Sequence, residues 1–348
     1  MSNDRASAAA DGRGCTGAGD ALAATVCRVL AADGRSDSAP DLDRLRPGSP
    51  MILLAYAYLA EQLAVLHEQT SPALAGDSPE GVHQMRIATR RVRAALQAFE
   101  PILPAENARS LRSGFKSLTQ ALGRVRDLDV YRQRLGDEVA SFDAPTAAAL
   151  APYLADLQHE YLDAREALAR LLQGPRYRTL VDELAAFLEG SPSAAALRRW
   201  CSFRICDGAA DYVLIALRRV RKRGRRLGRE APPEALHELR IRAKRLRYLM
   251  EIFSTVYGKA LARQIKPIRR LQDTLGLHQD ACVAADRLWA YTDRLPPAGD
   301  AEQLHALRKL VERQQEIATM ARQQFRTDWR RFERRLQSRE LRKLLRAK

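Results

Sequence analysis

The sequence predicts an all-α protein made of two related helical bundles. Apolar residues recur at the three- and four-residue spacing of amphipathic helices, and no stretch alternates apolar and polar residues as a half-buried strand would. One basic motif also occurs twice, once in each half of the chain. With 348 residues and 46% apolar content, the chain can bury one large core or two ordinary ones.

The two halves of the chain align with each other. A shift of 154 residues superimposes residues 51–99 on 205–253, and a shift of 153 superimposes 116–130 on 269–283. A repeat of this length is longer than a solenoid unit. It therefore predicts two similar antiparallel bundles related by a pseudo-twofold axis.

Domain boundaries follow from composition and from this repeat. Residues 1–48 are rich in Ala, Gly, Asp and Ser, carry one weak helical stretch at 21–32, and are predicted to be mostly disordered. The helical domain is assigned to residues 49–348. Its first bundle is placed at about 49–192 and its second at about 193–348.

Proline residues predict where the first helices begin and end. Ser49 and Pro50 are typical of an N-cap and a first helical position, opening an apolar helix that extends to about residue 67. The sequence Asp-Ser-Pro at 77–79 opens a basic helix in the same way. Pro101 then ends it, because proline cannot continue a helix.

Four more helices are predicted before the repeat begins again. Residues 105–122 and 126–139 each show an apolar stripe at helical spacing, with Gly123 interrupting between them. Longer helical patterns follow at about 147–173 and 177–189. A short cationic row on the first of these four helices consists of Arg109, Arg112 and Lys116.

The basic helix separates its charges from its apolar residues. At about 100° per residue, its histidine and three arginines fall within about 80° of one another, and an apolar stripe occupies the opposite side. We call the cationic set the first row, and it consists of His83, Arg86, Arg90 and Arg93. The stripe consists of Met85, Val92, Leu96 and Phe99.

The second copy of the motif repeats these positions. The second row consists of His237, Arg240, Lys244 and Arg247, and its stripe of Leu239, Leu246, Met250 and Phe253. Like charges three or four residues apart repel by a few tenths of a kcal/mol per pair, so an anionic partner is expected. A solvated face paired with neighbouring carboxylates is the simpler alternative, which the matched duplication disfavours.

The net charge of +16 lies in the second half of the chain. Residues 1–200 carry 23 basic and 25 acidic side chains, whereas residues 201–348 carry 35 and 17. The helix around 212–229 contains eight of these cations, and 330–348 is again basic. A polyanion is the natural partner of such a surface, although a solvated terminal helix would also account for the C-terminal charges.

Cysteine usage and hydropathy indicate a cytoplasmic protein. Five cysteines with no Cys-x-x-Cys spacing argue against a disulfide framework or a structural zinc site. No run approaches 18 apolar residues, and the N-terminus lacks the basic and apolar regions of a signal peptide. Neither a membrane partner nor a cofactor is expected.

The duplicated helix resembles a known family. Both copies read His-x-x-Arg-x-x-x-basic-basic-x-Arg and are followed by Leu-Gly-x-x-x-Asp, and residues 123–130 match the first-half pattern closely. These motifs resemble the CHAD family, the conserved histidine α-helical domain, and the likeness extends from about residue 50 to the end. In the second copy Gln279 replaces the equivalent of Arg126, which puts the role of that arginine in doubt there.

The resemblance implies two antiparallel bundles whose basic helices line a central cationic groove or pore that binds inorganic polyphosphate. It implies association with polyphosphate granules and no catalysis. The residues before 49 are too short and unpatterned for the triphosphatase domain that some relatives carry, so a stand-alone module is expected. The predicted polyphosphate-binding residues are His83, Arg86, Arg90, Arg91, Arg93, Arg112, Lys116, His237, Arg240, Lys244, Arg245, Arg247, Lys266 and Arg269.

The physical properties of the rows agree with this expectation. Polyphosphate is thin and flexible, so facing rows of guanidinium groups can hold it by charge-assisted hydrogen bonds while condensed cations are released. The two histidines predict tighter binding as pH falls from about 8 to 6, around the ordinary histidine pKa of about 6.5.

Two other function classes are weighed against this hypothesis. Weak, salt-sensitive and non-specific nucleic-acid binding is expected as a side effect of charge. Base stacking is not expected, because aromatic residues make up only 6% of the chain and are not interleaved with the rows. A metal-dependent hydrolase would use His83, His237, Asp127 and Asp280, which lack a repeated metal-ligand spacing. The two aspartates are expected instead to cap a helix or to pair with a row arginine.

Overall fold

The computed structural model describes residues 42–189, 200–228, 231–296 and 300–347. Within these ranges the chain forms helices and no strand, which confirms the all-α prediction. The weak helical stretch predicted at 21–32 lies outside the described residues.

Ten α-helices follow one another along the described chain. The first six are α1 (Met51–Ala75), α2 (Glu80–Ala98), α3 (Ala105–Val139), α4 (Ala144–Ala149), α5 (Ala151–Gln173) and α6 (Pro175–Glu189). The last four are α7 (Ile205–Gly224), α8 (Pro233–Thr292), α9 (Ala301–Arg335) and α10 (Ser338–Leu345).

The apolar stripes predicted from the sequence form the core. Residues 51–59, at the start of α1, are all buried, and α1 packs against α2. The stripe side chains of α2 and of the first part of α8 are fully buried. Each such side chain contributes about 1.5–3 kcal/mol on burial, so these stripes fix which side of each basic helix faces away from the core.

α8 consists of two helices joined at one residue. Gly258 has φ +61° and ψ −149°, a conformation that residues with a Cβ rarely adopt. Gly258 lies between the two aligned stretches of the repeat, opposite residues 104 and 105. The turn that the first half makes through residues 99–104 is therefore made in the second half by a single glycine.

Two of the predicted helix boundaries are wrong. Gly123 does not interrupt a helix, because α3 is continuous from Ala105 to Val139. An internal glycine weakens a helix by only about 1 kcal/mol, which the packing of this long helix outweighs. Ser49 does not cap α1, since the helix begins at Met51 and the Ser49 hydroxyl accepts a hydrogen bond from the Arg46 N–H (3.0 Å).

The first helix is longer than predicted. α1 passes residue 67 and continues to Ala75, with Pro72 inside it. It ends at Gly76, whose φ of +78° is the left-handed conformation common after a helix.

The starts of the two repeats are hydrogen-bonded to each other. The Met51 N–H donates to the Phe203 carbonyl (2.8 Å), and the Ile205 N–H donates to the Ser49 carbonyl (2.9 Å). The shift of 154 residues exchanges these two bonds. Residues 42–48, part of the segment predicted to be disordered, include a short 3-10 helix and the buried Leu45 beside this contact.

Helices of the two halves also pack together elsewhere. α8 contacts α2, α7 contacts α1, and α9 contacts α4. The division into separate bundles at residues 49–192 and 193–348 stays a prediction.

Gly81, in the first turn of α2, lies against the backbone of α1. A Cβ at this position would lie 2.5 Å from the Ala73 nitrogen and 2.7 Å from the Pro72 carbonyl carbon. We expect Gly81→Ala to lower the free energy of unfolding by about 1–3 kcal/mol, because one helix must move to accommodate the methyl group. Urea denaturation followed by circular dichroism would measure the change.

Gly136, in α3, provides the matched control. A Cβ there would meet nothing within 4 Å. Gly136→Ala should raise the free energy of unfolding by up to about 1 kcal/mol, because alanine is the better helix former. Equal effects of the two substitutions would contradict the close approach of α2 to α1.

Candidate functional site

The first row lies on the side of α2 that is not in the core. The Arg86 side chain is only 17% exposed, and His83, Arg90 and Arg93 are half-buried. Burial lowers the pKa of Arg86 and of Arg93 from the ordinary arginine value, and neighbouring arginines lower both further. The first row is therefore partly withdrawn from water.

The second row occupies the first part of α8 in the same way. The Arg240 and Arg247 side chains are 20% and 24% exposed, Lys244 is half-buried, and His237 is exposed. Burial, followed by the charge of Arg240, lowers the pKa of Lys244 to about 7. Lys244 is thus only partly protonated near neutral pH.

The two rows lie close to each other. Arg90 and Arg86, on α2, contribute to the low pKa of Lys244, on α8. In turn, Tyr248 of α8 raises the pKa of Arg86, on α2. Because α2 packs against α8, residues from the two copies of the motif form one cationic region. We call it the paired rows.

One aspartate pairs with the equivalent arginine in each row. Arg86 Nη2 donates to Asp127 Oδ1 (2.8 Å), and Arg240 Nη2 lies 3.7 Å from Asp280 Oδ1. Asp280 also lies 3.7 Å from Arg134 Nη1, on α3. Both aspartates lie inside helices, so the expected pairing with a row arginine is correct and the alternative of helix capping is wrong.

Several guanidinium groups of this region are incompletely hydrogen-bonded. The Nε atoms of Arg86, Arg91 and Arg240 are buried and have no hydrogen-bond partner among the described residues. A buried N–H without an acceptor costs about 1–3 kcal/mol. The row arginines therefore retain hydrogen-bonding capacity that the described part of the protein does not use.

The two histidines have different surroundings. Burial and the charge of Arg126 lower the pKa of His83 below 6.5. His237 Nδ1 lies 3.0 Å from Gln279 Oε1, the residue that replaces this arginine in the second copy. The sequence difference at this position therefore places a cation near His83 and a hydrogen-bond partner beside His237.

A cavity of about 470 Å³ adjoins the paired rows between α1, α2 and α8. Two carboxylates and three hydroxyls line it together with a larger number of cations. The cations are Arg91, Lys259, Arg263, Lys266 and Arg269. Its carboxylates are Glu61 and Glu251, and its hydroxyls belong to Tyr58, Ser254 and Thr255.

Sequence reasoning missed Lys259 and Arg263. The signal was the spacing of residues 259, 263, 266 and 270, all basic and three or four apart, which places them along one side of a helix. The helix break at Gly258 was not predicted, because Gly258 is a lone glycine within a helical pattern. Tyr58 is buried and also lines the cavity.

Glu251 connects the second row to this cavity. Its side chain is 13% exposed, and Oε1 lies 3.4 Å from Arg247 Nε and 3.3 Å from Arg269 Nη2. The equivalent residue in the first half is Gln97, which is exposed. The second row therefore carries an internal counter-charge that the first row lacks.

The remaining predicted residues lie around this region. Arg112 pairs with Glu100 (2.9 Å) and lies near enough to Arg93 to lower its pKa. Arg91 joins Lys266 and Arg269 at the cavity. Lys116 and Arg245 are exposed.

The described residues contain no group of three or more His, Cys, Asp and Glu side chains arranged to hold a metal ion. None of the helices in these ranges is both long enough and apolar enough to cross a membrane. Within these ranges, Cys206 and Cys282 form no disulfide bond.

Comparison with known proteins gives consistent results. The family model described as CHAD domain matches residues 57–289. The crystal structure of the CHAD domain from the plant Ricinus communis has a TM-score of 0.67 and 25% sequence identity, covering 84% of this chain and 95% of that one. PptA from Streptomyces chartreusis has a TM-score of 0.66 and 18% identity, over 81% and 100% of the two chains, and shows the fold alone.

Two curated relatives come from Mycobacterium tuberculosis. The uncharacterized proteins MT2285 and Rv2226 are each 26% identical over 255 residues, 72% of this chain. The chain spans about half (48%) of the length of these relatives. The family model covers well over half of the chain, and the fold and both copies of the motif agree with it, so this chain belongs to the CHAD domain family.

Proposed function

We propose that this chain binds inorganic polyphosphate between the paired rows, without catalysis, and that this binding localises it to polyphosphate granules in the cytoplasm. The observation that carries the proposal is the mutual proximity of the two rows. Arg86 and Arg90 of one copy lower the pKa of Lys244 of the other, so a flexible polyanion could contact both copies at once.

The chemistry of the row arginines supports a phosphate ligand. Asp127 accepts from one Nη of Arg86 only, and the guanidinium group has further donors in a planar fork that matches two phosphate oxygens. Half-burial strengthens such charge-assisted hydrogen bonds, because less water competes for them. A polymer with about one charge per phosphate would relieve the repulsion within and between the rows.

The cavity beside the rows would extend the contact. Its five cations exceed its two carboxylates, and Glu251 joins it to Arg247 of the second row. A chain held between the rows could therefore continue past Glu251 towards Lys259 and Arg263.

The rival hypotheses make different predictions for the same assays. Single-stranded nucleic acid at equal phosphate concentration should displace little polyphosphate, because the rows carry no interleaved aromatic residues for base stacking. Release of orthophosphate from long-chain polyphosphate with magnesium or manganese would instead favour a hydrolase. Displacement or release would overturn the proposal.

Removing the charges of both rows tests the site directly. In the variant Arg86→Ala, Arg90→Ala, Arg240→Ala, Lys244→Ala, we expect the slope of log affinity against log salt to fall by about two to three units, at about 0.7 per phosphate contact. The affinity for long-chain polyphosphate should fall at least about tenfold at 0.1 M salt. A salt-titrated binding assay would measure both quantities.

A charge-matched variant provides the control for this experiment. Arg176, Arg178, Arg308 and Arg313 are exposed and are neither row nor cavity residues. Replacing these four by alanine should change the affinity and the slope far less. If both quadruple variants lose affinity equally while remaining helical, polyphosphate binds by net charge and not at the paired rows.

Lys244 should make binding depend on pH. With a free-state pKa of about 7, it is about nine-tenths protonated at pH 6 and about one-tenth protonated at pH 8, and a bound polyanion favours the protonated form. Affinity should therefore fall by up to about tenfold from pH 6 to 8. His83 contributes less than the sequence suggested, because burial and the charge of Arg126 lower its pKa from the ordinary histidine value.

Lys244→Arg separates this effect from other titrations. The arginine stays charged, so affinity at pH 8 should rise towards its value at pH 6. Lys309→Arg, at a lysine that lies near Asp143 and away from the rows, should leave the wild-type pH dependence intact. An unchanged pH profile in Lys244→Arg would assign the dependence to another group.

A further inference from the structure

A second cationic surface accounts for most of the net charge of the protein. Residues 218–228 contain seven basic and no acidic side chains, and residues 330–347 contain eight basic and two acidic. Their combined net charge is +13, against +16 for the whole chain. None of these residues belongs to the paired rows or to the cavity beside them.

The fold brings these two segments together on the outside of the second half. α10 packs against α7, and Arg221 of α7 donates to the Ser338 hydroxyl (2.8 Å) and the Leu336 carbonyl (2.5 Å) at the start of α10. At the other end of α10, the Tyr257 hydroxyl donates to the Leu345 carbonyl (2.6 Å). α10 is therefore fixed along its length.

Exposed cations lie on both of these packed helices and on one residue just beyond the end of each. At about 100° per residue, those of α7 occupy a sector of about 100° that begins about 60° from Arg221, the residue in contact with α10. Those of α10 lie opposite its buried residues Leu341 and Leu345. We call this surface the outer face, and it consists of Arg218, Arg219, Lys222, Arg226, Arg339, Arg342, Lys343 and Arg346, all exposed.

The outer face has little internal compensation. Arg223 pairs with Glu238 and Arg225 with Glu333, but the eight cations of the outer face make no ion pair with a described carboxylate. Four of their pairs are like charges at i,i+4, which destabilise a helix by a few tenths of a kcal/mol each. Helix dipoles favour cations in the last turn, which explains Lys222 and Lys343 but not Arg218 or Arg339.

The first half of the chain has no equivalent surface. The residues of α1 that align with the basic part of α7 include no lysine or arginine, and their only candidate cation is His67. The outer face therefore does not follow from the symmetry of the fold. It is an addition to one copy.

We infer that the outer face is a second polyanion-binding site, distinct from the paired rows, and that its partner is the phosphate backbone of duplex nucleic acid. A surface that offers donors from one side only suits a stiff, broad polyanion, whose phosphates remain in place without being enclosed. Binding should be independent of sequence, because no base-reading motif accompanies the cations.

A membrane partner fits the outer face less well. Helices that bind membranes insert an apolar side between lipids, whereas α10 buries Leu341 and Leu345 against its own protein. Polyphosphate also fits less well, because its flexible chain is held better between facing rows than on one exposed surface.

The test compares three proteins binding a fluorescent duplex of about 20 base pairs and random sequence, in a salt titration. The variant Arg218→Ala, Lys222→Ala, Arg339→Ala, Lys343→Ala should lose at least about tenfold in affinity at 0.1 M salt. Its slope of log affinity against log salt should fall by about three to four units. The charge-matched control with alanine at Arg176, Arg178, Arg308 and Arg313 should retain most of both.

Parallel assays separate this inference from the proposed function. The affinity of the outer-face variant for long-chain polyphosphate should stay within about threefold of the wild-type affinity. A lower net charge changes the affinity little when no phosphate contact is removed. The variant with alanine at Arg86, Arg90, Arg240 and Lys244 should still bind duplex. Together, these results would show that duplex binds at a site separate from the paired rows.

Three results would overturn the inference. One is an unchanged duplex affinity and salt slope in the outer-face variant. Another is that the outer-face variant loses polyphosphate binding while the variant with alanine at Arg86, Arg90, Arg240 and Lys244 keeps it. This result would move the polyphosphate site to the outer face. The third is that the outer-face variant loses binding to vesicles containing phosphatidylserine but keeps its affinity for duplex. This result would assign the surface to a membrane.

Discussion

Half-burial of like charges is the constraint on which the rest of the structure depends. Each row holds its cations partly out of water, where they repel one another and Lys244 gives up part of its charge. Only the apolar stripe on the opposite side of the same helix keeps them there. In α2 that stripe is fully buried against the core. The free energy gained by burying it offsets the electrostatic cost of holding the cations partly out of water.

The two copies balance that cost in different ways. Asp127 and Asp280 each partly neutralise the equivalent arginine, and this pairing is common to both halves. Glu251 is present in the second half alone, because its counterpart in the first half is Gln97. The first row therefore carries the larger uncompensated charge locally, although the first half of the chain is close to neutral as a whole.

The sequence predicted features that depend on neighbouring residues and missed those that depend on distant ones. Helical periodicity placed Arg86 and Arg240 on the correct sides of their helices, because the side of a helix is set within a few residues. The continuity of α3 through Gly123 depends instead on packing along its whole length. The cavity and the pKa of Lys244 arise from residues of both halves, so no local pattern contains them.

The reciprocal hydrogen bonds between residues 49–51 and 203–205 have a consequence for evolution and for the association of the two copies. Two identical copies related by a twofold axis could form both bonds, as in an isologous dimer. Fusion of such copies into one chain makes their association intramolecular, so it no longer weakens on dilution. Fusion also frees each copy to diverge, which identical subunits cannot do, and the charges of α7 and α10 are an example of such divergence.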